Sequence, residues 1–240
     1  MNILIIGASS GIGREVSLLF LRNGHRVAMC ARRIEPLEEI RRQFPDKSFV
    51  KQIDVNDCNS TSEFENISSE TGDLDCIFNV AGIGWQNRDL DSEKELLTVE
   101  TNVEGFTRTI DWAFHYFASL GIKGHIGVIS SIAGTKGLGP APAYSASKAY
   151  QNTYVQALSQ LSKIKGLGIT FTDVRPGFVD TPLLGDGNSY PMLLKPEKVA
   201  KHIYKALLRR KRVCIIDWKY RVLVFFWRLI PNFLWYRLKI

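Results

Sequence analysis

Short apolar runs alternate along the chain with longer segments in which apolar residues recur at the spacing of a helix face. The short runs predict seven β-strands, at residues 3–6, 25–30, 48–53, 74–78, 125–130, 168–174 and 213–216. The longer segments predict helices at residues 11–22, 34–44, 61–70, 93–119 and 143–163, and a further helix that opens at Pro196. Strands and helices in this order form right-handed βαβ units. We therefore predict an α/β domain with a doubly wound, seven-stranded parallel sheet and helices on both faces.

Composition suits a single domain followed by a short tail. The chain has 240 residues, of which 45% are hydrophobic, enough for one sizeable core. The composition changes only at Trp218, so we divide the chain into a domain at residues 1–217 and a tail at residues 218–240. The formal net charge of +7 suits nucleic acid, a membrane surface or an anionic cofactor, and composition alone does not choose among them.

The start of the chain and its cysteines bear on location. Met1 leads directly into the first predicted strand, so we expect no signal peptide and place the protein in the cytoplasm. The four cysteines contain no CxxC pair, and the four histidines lack the spacing of metal ligands. The sequence therefore predicts neither a disulfide framework nor a metal site.

A glycine-rich turn joins the first predicted strand to the first predicted helix. Its spacing is GxxxGxG, and its candidate binding residues are Gly7, Ser9, Ser10, Gly11, Ile12 and Gly13. Glycines at this place let the backbone turn tightly and let a pyrophosphate approach the N-terminus of the helix. The motif is not a P-loop, because no Gly-Lys-Ser/Thr follows. The alternative is an ordinary glycine-rich turn, but the position directly after a strand favours a dinucleotide site of Rossmann type.

The end of the second predicted strand bears on the choice of cofactor. NAD enzymes place an acidic residue about 20 residues after the glycine motif, where it binds the ribose 2′-hydroxyl. Here that strand ends in Ala31-Arg32-Arg33 and has no carboxylate. Arginine binds phosphate in a bidentate way, whereas arginines that only solvate a helix start would oppose the helix dipole. The pattern favours NADP(H), with Arg32 as the main contact and Ser9, Ser10 and Arg33 as additional ones.

Tyr144 and Lys148 are the first candidates for catalysis. They are four residues apart at the start of a predicted helix and therefore lie on one face of it. A phenol with a pKa of about 10 is a poor base, but a nearby ammonium group favours the phenolate. Tyr144 can then exchange a proton with a substrate oxygen while hydride moves at the adjacent carbon. The alternative for such a common pair is a surface contact.

These motifs, in this order, resemble those of the classical short-chain dehydrogenase/reductase family over residues 2–217. Ser131 lies thirteen residues before Tyr144, which is similar to the spacing of the family serine, and Asn102 matches the family asparagine. The resemblance implies that Ser131 holds the carbonyl oxygen at the phenol and that Tyr144 transfers the proton. It also implies that Lys148 lowers the pKa of Tyr144 and binds the nicotinamide ribose. Asn102 would bend the long helix and support a water relay to Lys148.

The same resemblance implies further contacts with the cofactor. Asp54 would lie near the adenine ring, although as a single residue it is also compatible with a strand-end cap. In residues 79–82 the family usually has Asn-Asn-Ala-Gly, so Asn79, Ala81 and Gly82 match and Val80 departs. Pro176 and Gly177 would flank the nicotinamide, and Thr181 would reach its carboxamide. The family also leads us to expect a homodimer or homotetramer formed through the two long helices.

The tail is apolar and basic. From Trp218 onward it has no acidic residue, and Arg228 and Pro231 interrupt its apolar run well short of the ~20 residues that a membrane span needs. One interpretation is a pair of interfacial helices that contact a membrane peripherally. The other is a tail packed on a partner subunit or over the substrate cleft, and an apolar surface alone does not decide between them. We predict one or two short helices that bury against something outside the sheet of their own subunit.

Together these features predict an NADP(H)-dependent oxidoreductase that reduces a hydrophobic or lipid-like ketone or aldehyde. The alternative is a catalytically silent protein that senses a dinucleotide. The complete set of Ser131, Tyr144, Lys148 and Asn102 argues against that alternative. Nucleic acid is not an expected partner, because the aliphatic content of the tail suits lipid or protein better.

Overall fold

The computed structural model describes residues 1–184 and 190–238, and it contains the predicted parallel sheet. Its seven strands are β1 (Asn2–Ile6), β2 (Arg26–Ala31), β3 (Ser48–Gln52), β4 (Cys76–Asn79), β5 (His125–Ile129), β6 (Thr170–Arg175) and β7 (Val213–Ile215). They lie in the order β3-β2-β1-β4-β5-β6-β7, and every neighbouring pair is parallel. The limits differ from the prediction by one or two residues at most, and the predicted single-domain Rossmann fold is confirmed.

Helices cover both faces of the sheet. They are α1 (Gly11–Arg22), α2 (Glu35–Gln43), α3 (Ser60–Thr71), α4 (Ser92–Val99), α5 (Phe106–Leu120), α6 (Pro142–Ile164), α7 (Pro196–Leu208), α8 (Trp218–Leu229) and α9 (Asn232–Trp235). Side chains alternate between the two faces of each strand. In β1, Ile3 and Ile5 join the core under α1 and α7, whereas Leu4 and Ile6 join the core under α3, α5 and α6. Burial on both faces explains why the strands appear in the sequence as continuous apolar runs.

The long helix predicted at residues 93–119 is divided in the structure. A π-helical segment, Glu100–Gly105, separates α4 from α5 and contains Asn102. Segments of this kind are rare and often mark functional sites. Gly105 lies so close to the loop after β3 that a Cβ atom there would be 3.0 Å from a Val55 side-chain atom. The predicted bend at Asn102 is therefore present as a π-helical segment.

The order of the strands places a crevice beyond the carboxyl ends of the central strands. The chain proceeds outward from β1 through β2 to β3, and then returns to the other side of β1 with β4. In open α/β sheets, ligands bind beyond the carboxyl ends of the strands at such a switch point. The loops that follow β1, β4, β5 and β6 all begin at these carboxyl ends, and they carry most of the predicted site residues.

The tail forms two helices, as predicted, but one face of it packs on its own subunit. Tyr220 and Val224 of α8 belong to the buried core cluster. Trp235 is also buried, and its indole Nε1 donates a hydrogen bond to the carbonyl oxygen of Gly137 (2.8 Å). The expectation that the tail buries against something outside the sheet of its own subunit is therefore wrong for this face. Tyr220 and Val224 are one helical turn apart, so both point inward.

None of the helices in the described part of the chain is long and apolar enough to cross a bilayer. The basic run at residues 209–212 lies in the turn that precedes β7. This turn lies at the amino ends of the strands, opposite the crevice, because β7 is parallel to its neighbour β6. Arg210 donates there to the carbonyl oxygen of Lys123, which precedes β5. The run is consequently separate from the tail helices, which start after the carboxyl end of β7.

Candidate functional site

Three glycines shape the loop between β1 and α1. Gly7 has φ +91°, and a Cβ atom there would be 2.6 Å from the backbone nitrogen of Ala81. A Cβ atom on Gly13 would be 2.1 Å from the carbonyl oxygen of Gly7, and Gly11 opens the helix at φ +53°. Only glycine fits these positions, since other residues would clash or be strained. The predicted motif therefore brings α1 close to β1 and β1 close to the loop after β4.

The N-terminus of α1 is suited to an anion. Ser10, its N-cap, makes no side-chain capping hydrogen bond, and the first turn contains no acidic residue. Backbone N–H groups at a helix start and the helix dipole both favour negative charge. Ile12, one residue into the helix, is partly buried and packs on the core. The cradle fits the pyrophosphate of a dinucleotide.

Arg32 and Arg33 follow β2 directly and are both exposed. Arg33 donates to the Ser9 hydroxyl across 3.4 Å, so the structure joins the end of β2 to the glycine-rich loop. Arg32 is held through its backbone, because its carbonyl oxygen accepts a hydrogen bond from Gln52. Its guanidinium has no partner among the described contacts. Arg33 therefore places a cation beside Ser9, and Arg32 adds a second exposed cation at the end of β2.

The predicted residues after β3 and β4 stabilise their own turns. Asp54 accepts a hydrogen bond from the backbone nitrogen of Asn56 (3.0 Å), which is the strand-end cap considered for it. Asn79 accepts one from the backbone nitrogen of Ala81 (3.1 Å). Gly82 lies beside the catalytic candidates, since a Cβ atom there would be 3.4 Å from the Lys148 ammonium. In the described part of the chain, Asn79, Ala81 and Gly82 contact other predicted site residues, whereas the described contacts of Asp54 include none of them.

The loop after β6 touches both the serine region and α1. The carbonyl oxygen of Pro176 accepts a hydrogen bond from the backbone nitrogen of Ile132, next to Ser131. The methyl group of Thr181 packs on Gly11, 3.0 Å from where a Cβ atom would be. The loop after β6 therefore packs against both the serine region and the start of α1.

Ser131, Tyr144 and Lys148 are brought together at the carboxyl end of β5. Ser131 caps a short 3₁₀ helix, Ile132–Thr135, and its hydroxyl is hydrogen-bonded to the Tyr144 phenol. The Lys148 ammonium lies 5.7 Å from the centre of the Tyr144 ring and donates to the carbonyl oxygen of Ile129 (3.1 Å). The i, i+4 spacing on α6 thus forms a cluster inside the crevice and not a surface pair.

Burial dominates the protonation of this cluster. Burial raises the pKa of Tyr144, and the hydrogen bond with Ser131 acts in the opposite direction. Burial also lowers the pKa of Lys148 to about 8, against the attraction of Asp173. At neutral pH the phenol is therefore protonated and the lysine is charged. The family resemblance implied that Lys148 lowers the pKa of Tyr144, whereas desolvation, which raises this pKa, is the largest effect in the structure.

Asn102 and Gln151 hold Lys148 in place. The Asn102 side chain is buried and exchanges two hydrogen bonds with the backbone of Ile83, at 2.7 and 2.9 Å. Gln151 donates to the backbone carbonyl of Asn102 (2.8 Å) and accepts from the Lys148 ammonium (3.0 Å). Sequence reasoning missed Gln151, although its position three residues after Lys148 places it on the same face of α6. Gln151 therefore joins the backbone carbonyl of Asn102 to the Lys148 ammonium by direct hydrogen bonds.

Two close approaches were also missed. A Cβ atom on Gly84 would be 2.2 Å from the Tyr144 ring, so this glycine gives the ring its space. A Cβ atom on Gly177 would be 2.1 Å from the ring of Tyr220. Gly177, predicted to flank the nicotinamide, thus also packs on the tail. The repeated glycine in Gly82-Ile83-Gly84 was a signal for the first approach, but the second depends on tertiary packing that no local pattern shows.

A groove of about 590 Å³ lies between the tail and the loop that leads to Tyr144. The residues that line it are Arg88, Gly137, Leu138, Gly139, Pro140, Trp235, Tyr236 and Leu238. The lining is mostly apolar or glycine, with one arginine at its edge. A groove of this volume is within the size range of small-molecule sites.

Comparisons with known proteins place this geometry in context. The family model described as short chain dehydrogenase matches residues 1–190. An uncharacterized oxidoreductase of Myxococcus xanthus is 29% identical over 236 residues, which cover 95% of this chain and 92% of that protein. An uncharacterized oxidoreductase of Mycobacterium tuberculosis is 32% identical over 227 residues, covering 90% and 88%. The solved structure of ElxO with NADP bound is 26% identical with a TM-score of 0.78, covering 90% of this chain and 96% of that one.

Proposed function

The chain belongs to the short-chain dehydrogenase family and is an NAD(P)-dependent oxidoreductase, and on this premise we propose that it reduces hydrophobic or lipid-like ketones or aldehydes with NADPH. One observation carries the proposal. The crevice combines the Arg32–Arg33 pair at the dinucleotide end with the buried cluster of Ser131, Tyr144 and Lys148 at the other. The first matches a phosphorylated dinucleotide, and the second matches proton transfer to a carbonyl oxygen.

The proposed chemistry is a hydride and proton addition. When bound, a reduced nicotinamide dinucleotide would supply the hydride for the carbonyl carbon, and its oxidised form would be the second product. The Ser131 hydroxyl orients the carbonyl oxygen, and Tyr144 donates the proton to it, so that the product is the alcohol. Burial keeps the Tyr144 phenol protonated near neutral pH, which suits a proton donor. The reverse reaction, oxidation of an alcohol, uses the same groups with the phenolate as base.

Lys148 is the proposed electrostatic partner of this transfer. Its ammonium stabilises the Tyr144 phenolate after the proton has left, and it is also the proposed ligand of the nicotinamide ribose. Gln151 and the backbone carbonyl of Ile129 orient the ammonium, and Asn102 orients Gln151. Asn102 therefore acts through Gln151 and does not itself need to meet the substrate.

NADP(H) is the proposed cofactor. Arg32 would hold the 2′-phosphate, with Ser9, Ser10 and Arg33 beside it. The contact of Arg33 with the Ser9 hydroxyl at the end of β2 supports this assignment. The open N-terminus of α1 would take the pyrophosphate. The other proposed contacts are Gly7, Gly11, Ile12, Gly13, Asp54, Asn79, Ala81, Gly82, Tyr144, Lys148, Pro176, Gly177 and Thr181.

The proposed substrate class follows from the groove beside the tail. Leu138, Pro140 and Trp235 give it apolar walls, and its loop leads directly into Tyr144. Apolar walls favour an apolar chain on the carbonyl compound. We further propose a homodimer or homotetramer formed through α5 and α6, a cytoplasmic location, and a peripheral membrane contact through residues 218–240.

The test is a screen of NADPH oxidation against aldehydes and ketones of graded chain length, with Tyr144→Phe as the blank for uncatalysed oxidation. We expect kcat/KM to rise with chain length by up to about fourfold for each methylene that becomes buried, until the groove is filled. Equal rates for short and long chains would contradict the hydrophobic substrate. Tight NADPH binding without turnover of any compound would favour the dinucleotide-sensing alternative.

A further inference from the structure

Helix α8 is apolar on two opposite sides. At 3.6 residues per turn, the side that faces the subunit carries Tyr220, Val224 and Trp227. Tyr220 and Val224 are in the core, and Trp227 packs on the buried Trp235. The opposite side carries Trp218, Val222, Phe225 and Leu229, which are 66%, 47%, 61% and 62% exposed. The outward side of a surface helix is normally polar. Here the most solvent-directed side chains are large and apolar.

Cations occupy the rows between these two sides. Arg221 and Arg228 lie along one border of the outward side, and Lys219 lies along the other next to the exposed Phe226. No acidic side chain follows Asp217. The outward side is therefore an apolar stripe bordered only by positive charge.

The stripe is held in a fixed arrangement. Lys136, from the loop before α6, donates to the carbonyl oxygen of Ile230 (3.0 Å) and to the side chain of Asn232 (2.9 Å), which fixes the turn after α8. Asp217 caps the start of the helix by accepting a hydrogen bond from the Lys219 backbone nitrogen. Both ends of α8 are thus tied down, and a partner meets a preformed surface.

We propose that this stripe docks the protein on an anionic lipid surface. The docking face consists of Trp218, Val222, Phe225, Phe226 and Leu229, with Lys219, Arg221 and Arg228 at its border. An apolar centre that enters the acyl boundary and a cationic rim that meets lipid headgroups are the features of an interfacial helix. The proposal rests on the proposed membrane contact of residues 218–240 and assigns to it a face and a lipid charge.

The charges favour lipid over a second copy of the chain. In a two-fold contact the same face meets itself. The cationic border would then approach a cationic border, and like charges across an interface are unfavourable. An anionic bilayer offers the opposite charge at the border and an apolar interior at the centre, so both parts of the face are matched.

The test is co-sedimentation of the full-length protein with vesicles of phosphatidylcholine alone or of phosphatidylcholine with phosphatidylserine. We expect binding to the anionic vesicles that weakens in high salt, because screening reduces the contribution of the border. The double variant Phe225→Ser/Phe226→Ser should bind at least about tenfold more weakly, since each buried aromatic ring contributes strongly. The matched control is Leu96→Ser/Ile164→Ser, which removes two equally exposed apolar side chains elsewhere.

Two outcomes would overturn the proposal. The first is equal vesicle binding by the wild type and the Phe225→Ser/Phe226→Ser variant, or no binding by either. The second is a change of oligomeric state in the variant, measured by analytical ultracentrifugation without lipid, which would make the face a subunit contact. Neither measurement involves turnover, so a failed search for a carbonyl substrate would leave the result intact.

A separate observation concerns Tyr220, on the inward side of α8. Its side chain is fully buried, and its ring covers Gly177. Its hydroxyl accepts a hydrogen bond from the backbone nitrogen of Phe178 (3.1 Å) and lies 3.1 Å from the carbonyl oxygens of Pro191 and Met192. One tyrosine of the tail therefore joins the loop after β6 to the segment that precedes α7.

We infer that Tyr220 is a positioning residue for the cofactor loop at Pro176 and Gly177. The inference rests on the proposed placement of the nicotinamide beside this loop. Without the hydroxyl, the partly buried N–H group of Phe178 loses its acceptor, and the tail no longer holds the loop after β6 by a hydrogen bond. Tyr220→Phe keeps the ring over Gly177 and removes only these polar contacts.

The experiment measures the dissociation constant of whichever dinucleotide the wild type binds more tightly. Tyr220→Phe should raise it about three- to tenfold, and the KM for the carbonyl compound at saturating cofactor should stay unchanged. Tyr204→Phe is the matched control, because it removes a hydroxyl that bonds to His25 far from the crevice. If both variants melt at lower temperature and neither changes dinucleotide affinity, Tyr220 is merely structural and the inference fails. That result would leave the proposed reaction untouched.

Discussion

The two ends of the crevice are built in different ways. At the catalytic end, Asn102, Lys148 and Gln151 are buried and joined by hydrogen bonds of 2.8 to 3.0 Å. At the dinucleotide end, Arg32 and Arg33 are exposed, and one 3.4 Å contact connects them to Ser9. A buried network holds its geometry before any ligand arrives, whereas exposed cations act by charge and adjust to the ligand. We therefore expect small substitutions at the catalytic end to be costly, and substitutions at the other end to change selectivity more than rate.

The largest effect should come from removing the proton donor. Tyr144→Phe deletes one oxygen from the catalytic end, and we expect kcat to fall about 10²- to 10⁴-fold, the usual contribution of a general acid. Dinucleotide affinity should change little, because the ring remains. The measurement is steady-state kinetics together with a binding titration. Tyr150→Phe, on the same helix and also bonded through its hydroxyl, is the control and should stay near the wild type.

Adding a methyl group at Gly84 should lower kcat almost as much as removing the Tyr144 hydroxyl. Gly84→Ala places a Cβ atom where the structure leaves 2.2 Å to the Tyr144 ring, so the phenol must move. A displacement of about 1 Å from the reactive geometry can lower kcat by about 100-fold. The double variant with Tyr144→Phe should be no slower than Tyr144→Phe alone, because both changes act on the same group. Additive losses would show that Gly84 acts elsewhere.

The same contrast explains which features of the fold and the site could be predicted from the sequence. The strands and the order of the glycine, serine, tyrosine and lysine motifs could be predicted, because periodicity and spacing are local properties. Gln151 and Gly84 were missed, because their roles depend on which side chain lies opposite them. The π-helical segment at Glu100–Gly105 was predicted only as a bend.

The tail shows the other limit. Its composition predicted helices and an apolar surface, but only the structure separates the inward Tyr220 and Val224 from the outward Phe225 and Leu229. Apolar residues on both sides of a helix give no amphipathic signal, so the sequence does not indicate which side meets the core. The prediction that the tail buries against something outside the sheet of its own subunit therefore failed for one side of α8.

At the dinucleotide end we expect a change of preference without loss of chemistry. Arg32→Asp replaces a phosphate ligand by a group that repels phosphate and can bind a ribose hydroxyl. The ratio of kcat/KM for NADPH to that for NADH should fall about 10- to 100-fold, while kcat with saturating cofactor stays within a few-fold. The control is Arg42→Asp, at an exposed arginine of α2. An unchanged ratio would show that Arg32 does not select the cofactor.

The smallest effect tests whether the buried network sets the protonation of Lys148. Burial lowers the pKa of this lysine to about 8, so it is charged below that pH and loses its charge as the pH rises through it. The pKa of Tyr144 is raised, so the phenol does not lose its proton in this range. The kcat/KM for reduction should therefore fall above about pH 8.

Gln151→Met removes the acceptor that faces the ammonium, and an acceptor favours the charged form. Its loss should move the alkaline limb about one pH unit toward acid, with Gln156→Met, an exposed glutamine of the same helix, as the control. A limb that stays in place would show that the network positions Lys148 without adjusting its charge.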